Sequence, residues 1–97
     1  MKPKKIAEGT KLPVILTKRE LKLIQNDIYY HPDSPLVGVV KGKDIKVMLN
    51  LADIEDMQGY CAAEANHTDS KILQKELDKI VMKLQYFLDH YDDQDDD

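Results

Sequence analysis

Residues 36–49 read LVGVVKGKDIKVML, two runs rich in β-branched residues joined by a short polar connection. Valine and isoleucine favour strands because their branched side chains pack well on a pleated surface. The connection, Gly42-Lys43-Asp44, has three residues including a glycine, which suits a hairpin closed by a bulge or a type I turn. This stretch therefore predicts a β-hairpin at the centre of a small antiparallel sheet.

The second run of the hairpin alternates, with apolar side chains at every second position from Ile45 to Leu49 and Lys46 between them. Successive side chains of a strand point to opposite faces, so we expect helices to cover one face and water the other. Another short apolar run, residues 12–16, is a candidate third strand. Because Pro13 has no N–H to donate, we place that strand at an edge of the sheet or start it at the proline.

Three segments have the spacing of amphipathic helices: residues 18–29, 51–66 and 69–90. The first begins at a capping box, TKRE at residues 17–20, in which hydroxyl and carboxylate satisfy each other's backbone N–H groups. The second follows Asn50, a favourable N-cap. Together these elements predict an α+β fold, with the small antiparallel sheet packed by three helices.

The last helix carries the most regular pattern in the chain. Its apolar residues recur at intervals of four and three: Leu73, Leu77, Ile80, Leu84, Phe87 and Tyr91. This is the spacing of a heptad seam, but it covers only about two and a half heptads, fewer than a free-standing coiled coil needs. We expect the helix to pack on the core and to leave apolar surface for a protein partner or for self-association. That predicted surface consists of Leu84, Phe87, Leu88 and Tyr91.

The 97 residues allow one domain, which we place at residues 12–91. Residues 1–11 are basic and lack periodicity, and residues 92–97 are almost entirely aspartate. We expect both ends to be disordered. The formal net charge of −4 hides a polarity: residues 1–48 carry +5, residues 49–91 carry −4 and the last six residues −5. Such polarity favours contacts with other macromolecules over chemistry on small ones.

A basic N-terminal half raises the alternative of a nucleic-acid-binding accessory protein. The candidate contacts are Lys41, Lys43 and Lys46 on the hairpin. Against this alternative, the chain has no arginine other than Arg19, and guanidinium groups dominate the reading of base edges. We therefore favour a protein partner or a homo-oligomer over nucleic acid.

Four lysines form a basic ridge along the last helix: Lys71, Lys75, Lys79 and Lys83. Like charges four residues apart cost a few tenths of a kcal/mol per pair unless something opposes them. We expect acidic residues of the same and the preceding helix to pair with the ridge; binding of an anion is the alternative. The candidate acids are Asp53, Asp56, Glu64, Glu76 and Asp78.

No set of residues suggests catalysis, a metal site or a cofactor. Cys61 falls on the apolar stripe of its helix, where a thiol acts as a small hydrophobe. His31, His67 and His90 lie in separate segments. The aspartates of residues 92–97 lack the glycine and the glutamate of a calcium loop. We therefore expect a non-enzymatic interaction or regulatory module.

Neither a membrane span nor a leader peptide is predicted. No run approaches the 18 apolar residues of a transmembrane helix, and no apolar h-region follows the basic start. With a single cysteine, no disulfide can form within the chain. These features together favour a cytoplasmic protein.

Residues 47–68 read VMLNLADIEDMQGYCAAEANHT. Over residues 47–88 the chain resembles small bacterial or phage proteins of unknown function, in which a strand is followed by a similar helix and by a final helix rich in Lys, Gln and Leu. This resemblance implies no activity and assigns no functional residue.

Overall fold

The computed structural model describes residues 2–26 and 38–93, and within them the chain is an α+β domain with three helices. The elements in chain order are β1 (Lys4–Lys5), β2 (Leu12–Thr17), α1 (Lys18–Asn26), β3 (Gly38–Lys41), β4 (Asp44–Leu49), α2 (Leu51–His67), α3 (Lys71–His90) and β5 (Tyr91–Asp92). The last residues of the predicted first helix, 27–29, and the first of the predicted hairpin, 36–37, lie outside the described residues.

The main sheet has the strand order β2-β4-β3, and both pairings are antiparallel. Residues 12–16 thus form an edge strand, as the proline predicted. Leu12 lies opposite Leu49 and Val14 opposite Val47, and these four side chains are buried. The intervening positions of β2 are exposed, so one face of the sheet is covered and the other is open to water.

The hairpin turn is shorter than the sequence suggested. Lys41 pairs with Asp44, so the loop contains only Gly42 and Lys43. Gly42 has φ of 65°, a left-handed conformation that glycine adopts without steric cost. Two-residue loops favour such positive φ values because the resulting twist matches that of the flanking strands.

The helix starts follow from local hydrogen bonds. Glu20 N donates to Thr17 Oγ1 at 3.0 Å and Thr17 N donates to Glu20 Oε1 at 2.9 Å, which confirms the capping box. Asn50 caps α2, accepting from Asp53 N at 2.8 Å. Ser70 caps α3, so this helix begins slightly later than predicted.

The covered face of the sheet and the three helices share one core. The fully buried side chains supplied by the helices are Leu23, Ile24, Ile54, Met57, Cys61, Leu77, Ile80 and Leu84. The heptad seam of α3 therefore faces inward. Leu84 has no exposed surface, so its assignment to a partner surface is wrong. The reason is that α3 packs against both α2 and α1 within one core cluster, which leaves the middle of the seam inside the domain.

Both ends of the described chain take part in a second, two-stranded sheet. Lys4 pairs with Tyr91 and Lys5 with Asp92 in parallel, and Ile6 N donates to Asp92 O at 2.9 Å. The Lys5 ammonium also lies 2.6 Å from the Asp92 carboxylate. The expected disorder of residues 1–11 and 92–97 therefore does not describe these positions, whereas residues 94–97 lie outside the described residues.

Candidate interaction surface

The largest exposed apolar side chains of α3 lie away from its seam. Ile72 and Met82 are each 74% exposed and Tyr86 is 54% exposed. The other three residues of the predicted surface, Phe87, Leu88 and Tyr91, are half-buried and packed against the core. The apolar surface that α3 offers to solvent is therefore on the opposite side from the one that the heptad pattern indicated.

An open groove of about 780 Å³ runs between α2 and α3. Its α2 wall includes the small residues Gly59, Ala62 and Ala63 beside Glu55, Asp56, Gln58 and Tyr60, and its α3 wall consists of Val81 and Gln85. An α-helix turns by about 100° per residue, so the side chain of Met82 lies about 60° around α3 from that of the groove residue Gln85. The groove and the exposed methionine are thus neighbours on the same side of the helix pair.

Side-chain amides hold the two walls of this groove together. Gln58 Nε2 donates to Val81 O at 3.2 Å and to Gln85 Oε1 at 2.7 Å. Gln85 Nε2 in turn donates to Asp89 Oδ1 at 2.8 Å. The groove is therefore preformed in the helix pair. The same hydrogen bonds place Gln58 level, along the helix axes, with residues 81–85 of α3.

Gly59 lies in the middle of α2 and is exposed. A Cβ atom placed on it would meet no other atom within 4 Å in the part of the chain that the structure describes. Glycine in a helix interior costs about 0.5–1 kcal/mol relative to alanine. Packing inside the described chain does not require this glycine, so its space is open to the approach of another molecule.

The basic ridge is not paired as predicted. Lys83 Nζ contacts Glu20 Oε1 at 2.5 Å and the Ile15 carbonyl at 3.4 Å, neither of which belongs to α2 or α3. Lys71, Lys75 and Lys79 are exposed, and within residues 2–26 and 38–93 none of them forms an ion pair. Three cations therefore remain on the outside of α3.

These features define one surface, which we name the α2–α3 outer surface. It comprises the groove residues Gly59, Ala62 and Ala63, the acidic rim Glu55 and Asp56, the exposed Met82 and the ridge residues Lys71 and Lys75. By helical geometry, Lys71, Lys75 and Met82 fall within about 40° of one another around α3. The i, i+4 lysine spacing was visible in the sequence; the exposure of Met82 was not.

The hairpin lysines lie on a different element. Lys43 is exposed in the turn, and Lys46 is half-buried on β4 opposite Ile15. The backbone of Lys41 pairs with Asp44, whereas its side chain lies outside the described residues. Ile15 and Met48 are also exposed on this open face of the sheet. Among the predicted nucleic-acid contacts, Lys46 thus has apolar neighbours on this face of the sheet.

The remaining reactive side chains have structural surroundings. Burial raises the pKa of the Cys61 thiol to about 12, which keeps it protonated near neutral pH. His90 Nδ1 lies 2.7 Å from the Tyr86 carbonyl, and its ring stacks on that of Tyr86 with a centroid separation of 4.1 Å. Among the described residues, no group of histidine, cysteine and acidic side chains could hold a metal ion. His31 lies outside those residues.

Comparison with known proteins gives no match to this chain: no family model, no curated protein and no solved structure is similar to it. Within the described residues, no helix combines the length and the apolar character that a membrane crossing requires.

Proposed function

We propose that the protein is a non-enzymatic interaction module that binds another polypeptide through the α2–α3 outer surface. The observation that carries this proposal is Met82, 74% exposed beside the open groove at Gly59. Removing a methionine side chain of this kind from water contributes about 1.5–3 kcal/mol, so a partner that covers it gains affinity at once. Exposed apolar side chains next to a groove with a polar rim are typical of protein-binding surfaces.

The small residues of the groove support a polypeptide partner in particular. A helix surface lined by glycine and alanine lets a second backbone approach closely, as at tightly packed helix pairs. Gln58 and Gln85 hold the groove in shape, so little conformational entropy is lost when a partner enters. The charged groups at its edge, Glu55 and Asp56, form a polar rim that selects among partners.

Site-specific photo-crosslinking tests this proposal. A photoreactive amino acid replaces Met82 in the full chain, expressed in cells, and the same replacement at Met48 on the sheet face serves as the matched control. We expect a crosslinked adduct of discrete mass from position 82 and none from position 48. The absence of a discrete adduct at position 82, in a variant that retains the helical circular dichroism spectrum, would contradict the proposal.

A nucleic-acid ligand is the second candidate, and one observation favours it: Lys71, Lys75 and Lys79 have no ion-pair partner among the described residues. Phosphate contacts by lysine release counterions, so such binding must weaken steeply as salt rises. Fluorescence anisotropy measures this dependence with labelled DNA and RNA of mixed sequence, at about 20 mM and about 200 mM salt. No binding at the lower salt concentration would reject the candidate.

A further inference from the structure

We propose that the edge of β5 on which β1 lies is a binding site for a basic, extended segment of another polypeptide. The chain's own residues 2–11, which we name the N-terminal strap, occupy this site and are an autoinhibitory contact that a competing segment displaces. The site begins where α3 ends, apart from the α2–α3 outer surface. The inference therefore goes beyond the proposed function and does not rest on it.

The strap shows which chemistry fits the site. Lys4 lies opposite Tyr91 and Lys5 opposite Asp92 in a parallel pairing, and Ile6 N donates to Asp92 O at 2.9 Å. The Lys5 ammonium lies 2.6 Å from the Asp92 carboxylate, and the half-buried Ile6 packs against the core. When an extended segment adds to a strand, backbone pairing gives affinity and the side-chain positions give selectivity. The site therefore accepts two lysines followed by an apolar residue.

Charge complementarity extends beyond the one ion pair. The strap contains four lysines and one glutamate, whereas residues 92–97 contain five aspartates. Opposite charges of this kind speed the encounter of two segments, and like charges disfavour the wrong partner. A competing segment must therefore be basic, as the strap is.

The accepting strand does not depend on the strap for its position. The Tyr91 N–H donates to the Phe87 carbonyl at the end of α3, and the two rings stack with centroids 6.2 Å apart. Both side chains pack against the core. Because β5 is thus held by α3 and by the core, its edge stays formed when the strap leaves.

The strap itself has few buried contacts. Of residues 2–11 only Ile6 is half-buried, and all the others are exposed. A turn separates β1 from β2: Thr10 N and Thr10 Oγ1 both donate to the Ala7 carbonyl, and Gly9 has φ of 84°. Segments with few buried apolar contacts open locally while the rest of a domain stays folded. The strap can therefore be displaced without unfolding the core.

Nuclear magnetic resonance of the isotope-labelled full chain tests the site, with an unlabelled peptide of residues 1–11 as the probe. A segment tethered by a short linker has an effective concentration in the millimolar range, so the wild-type strap competes strongly with the free peptide. Ile6→Ser and Lys5→Glu each weaken the strap and leave β5 unchanged. The matched control is Lys11→Glu, which makes the same charge change in the strap outside β1.

We expect the peptide to shift the backbone amide signals of Tyr91 and Asp92 and to leave that of Met82 unmoved. The two strap variants should bind the peptide at least about fivefold more tightly than the wild-type chain, a change equivalent to about 1 kcal/mol. The control variant should bind it as the wild-type chain does. A peptide with both of its β1 lysines replaced by glutamate should not bind.

Several results would overturn the inference. One is the absence of a saturable shift at β5 in both strap variants, each with the helical circular dichroism spectrum retained. Another is equal affinity of the wild-type chain and the strap variants, because the strap would then not compete for the site. Equally tight binding of the charge-reversed peptide would remove the requirement for a basic segment. A shift at Met82 in place of Tyr91 would assign the peptide to the α2–α3 outer surface and leave only the proposed function standing.

Discussion

Replacing Lys83 with methionine removes the cation from the most buried ion pair of the described chain. Glu20 is the one buried charged residue among those described, and its side chain is only 10% exposed. It accepts hydrogen bonds from Thr17 N and from Lys83 Nζ. In Lys83→Met the carboxylate keeps the backbone bond but loses its counter-charge, while methionine retains most of the apolar stem of lysine. The variant therefore isolates the electrostatic loss.

The expected loss lies between two limits. Breaking a fully buried pair by removing one partner costs about 3–5 kcal/mol, and an exposed pair contributes about 0–1 kcal/mol. The Lys83 side chain is 39% exposed, so water reaches the pair from one side and screens it. We therefore expect Lys83→Met to lower the free energy of unfolding by about 1–3 kcal/mol. For a domain of this size that is a large fraction of the total, about 5–10 kcal/mol.

The chain provides a matched control in Arg19→Met. Arg19 Nε lies 3.0 Å from Glu76 Oε2, and this pair also joins α1 to α3, but the arginine side chain is 65% exposed. Its loss should cost less than about 1 kcal/mol. Urea denaturation followed by circular dichroism measures both variants. At a slope of about 1–1.5 kcal/mol/M, the midpoint of Lys83→Met should fall by about 0.7–3 M.

A double substitution tests the cause. In Glu20→Gln/Lys83→Met the buried charge is gone, and glutamine can still serve the capping box. We expect the double variant to be more stable than Lys83→Met alone, because the uncompensated carboxylate is what destabilises the single variant. Equal losses for Lys83→Met and Arg19→Met, or a double variant that is no more stable than Lys83→Met, would refute the reasoning.

Two further predictions concern single residues of α2 and the turn. Gly59→Ala should raise the free energy of unfolding of the monomer by about 0.5–1 kcal/mol, because the new Cβ meets no other atom. Gly42→Ala should lower it, because Gly42 has φ of 65°. Thermal melts at low protein concentration check both variants, and the two melting temperatures should shift in opposite directions. Cys61 should react with a thiol reagent only in the unfolded chain, and raising the pH from 7 to 9 should not expose a native thiolate, because its pKa is raised to about 12 by burial. Stoichiometric labelling of the folded protein would contradict the second prediction.

Features that depend on neighbouring residues in the chain could be predicted from the sequence. The capping box of Thr17 and Glu20, the Asn50 cap and the edge position of β2 each follow from a side chain acting on a nearby backbone group. The seam of α3 was predicted as an apolar stripe for the same reason. Its periodicity specifies which residues share a face, and this does not depend on what covers that face.

Features that depend on the packing of distant elements could not be predicted. The spacing of Leu84 is the same whether its seam contacts the sheet or a partner, and only the burial decides. Likewise Lys83 was grouped with Lys71, Lys75 and Lys79 by its interval of four. In the folded chain it turns to Glu20, 63 residues away, while the other three stay on the outside. The α2–α3 outer surface therefore becomes apparent only when the structure separates Lys83 from the other three lysines.

The free edge of β2 bears on which surface can associate. An unpaired strand edge offers backbone N–H and C=O groups to another chain. On β2, several of these groups are either bonded to side chains already or missing. Pro13 has no N–H, the Ile15 carbonyl accepts from Lys83, and Thr17 N donates to Glu20. The same ion pair that joins α1 to α3 thus also blocks strand addition at this edge. The edge of β2 is therefore protected, whereas Met82 beside the Gly59 groove, and Ile15 and Met48 on the open face of the sheet, remain uncovered.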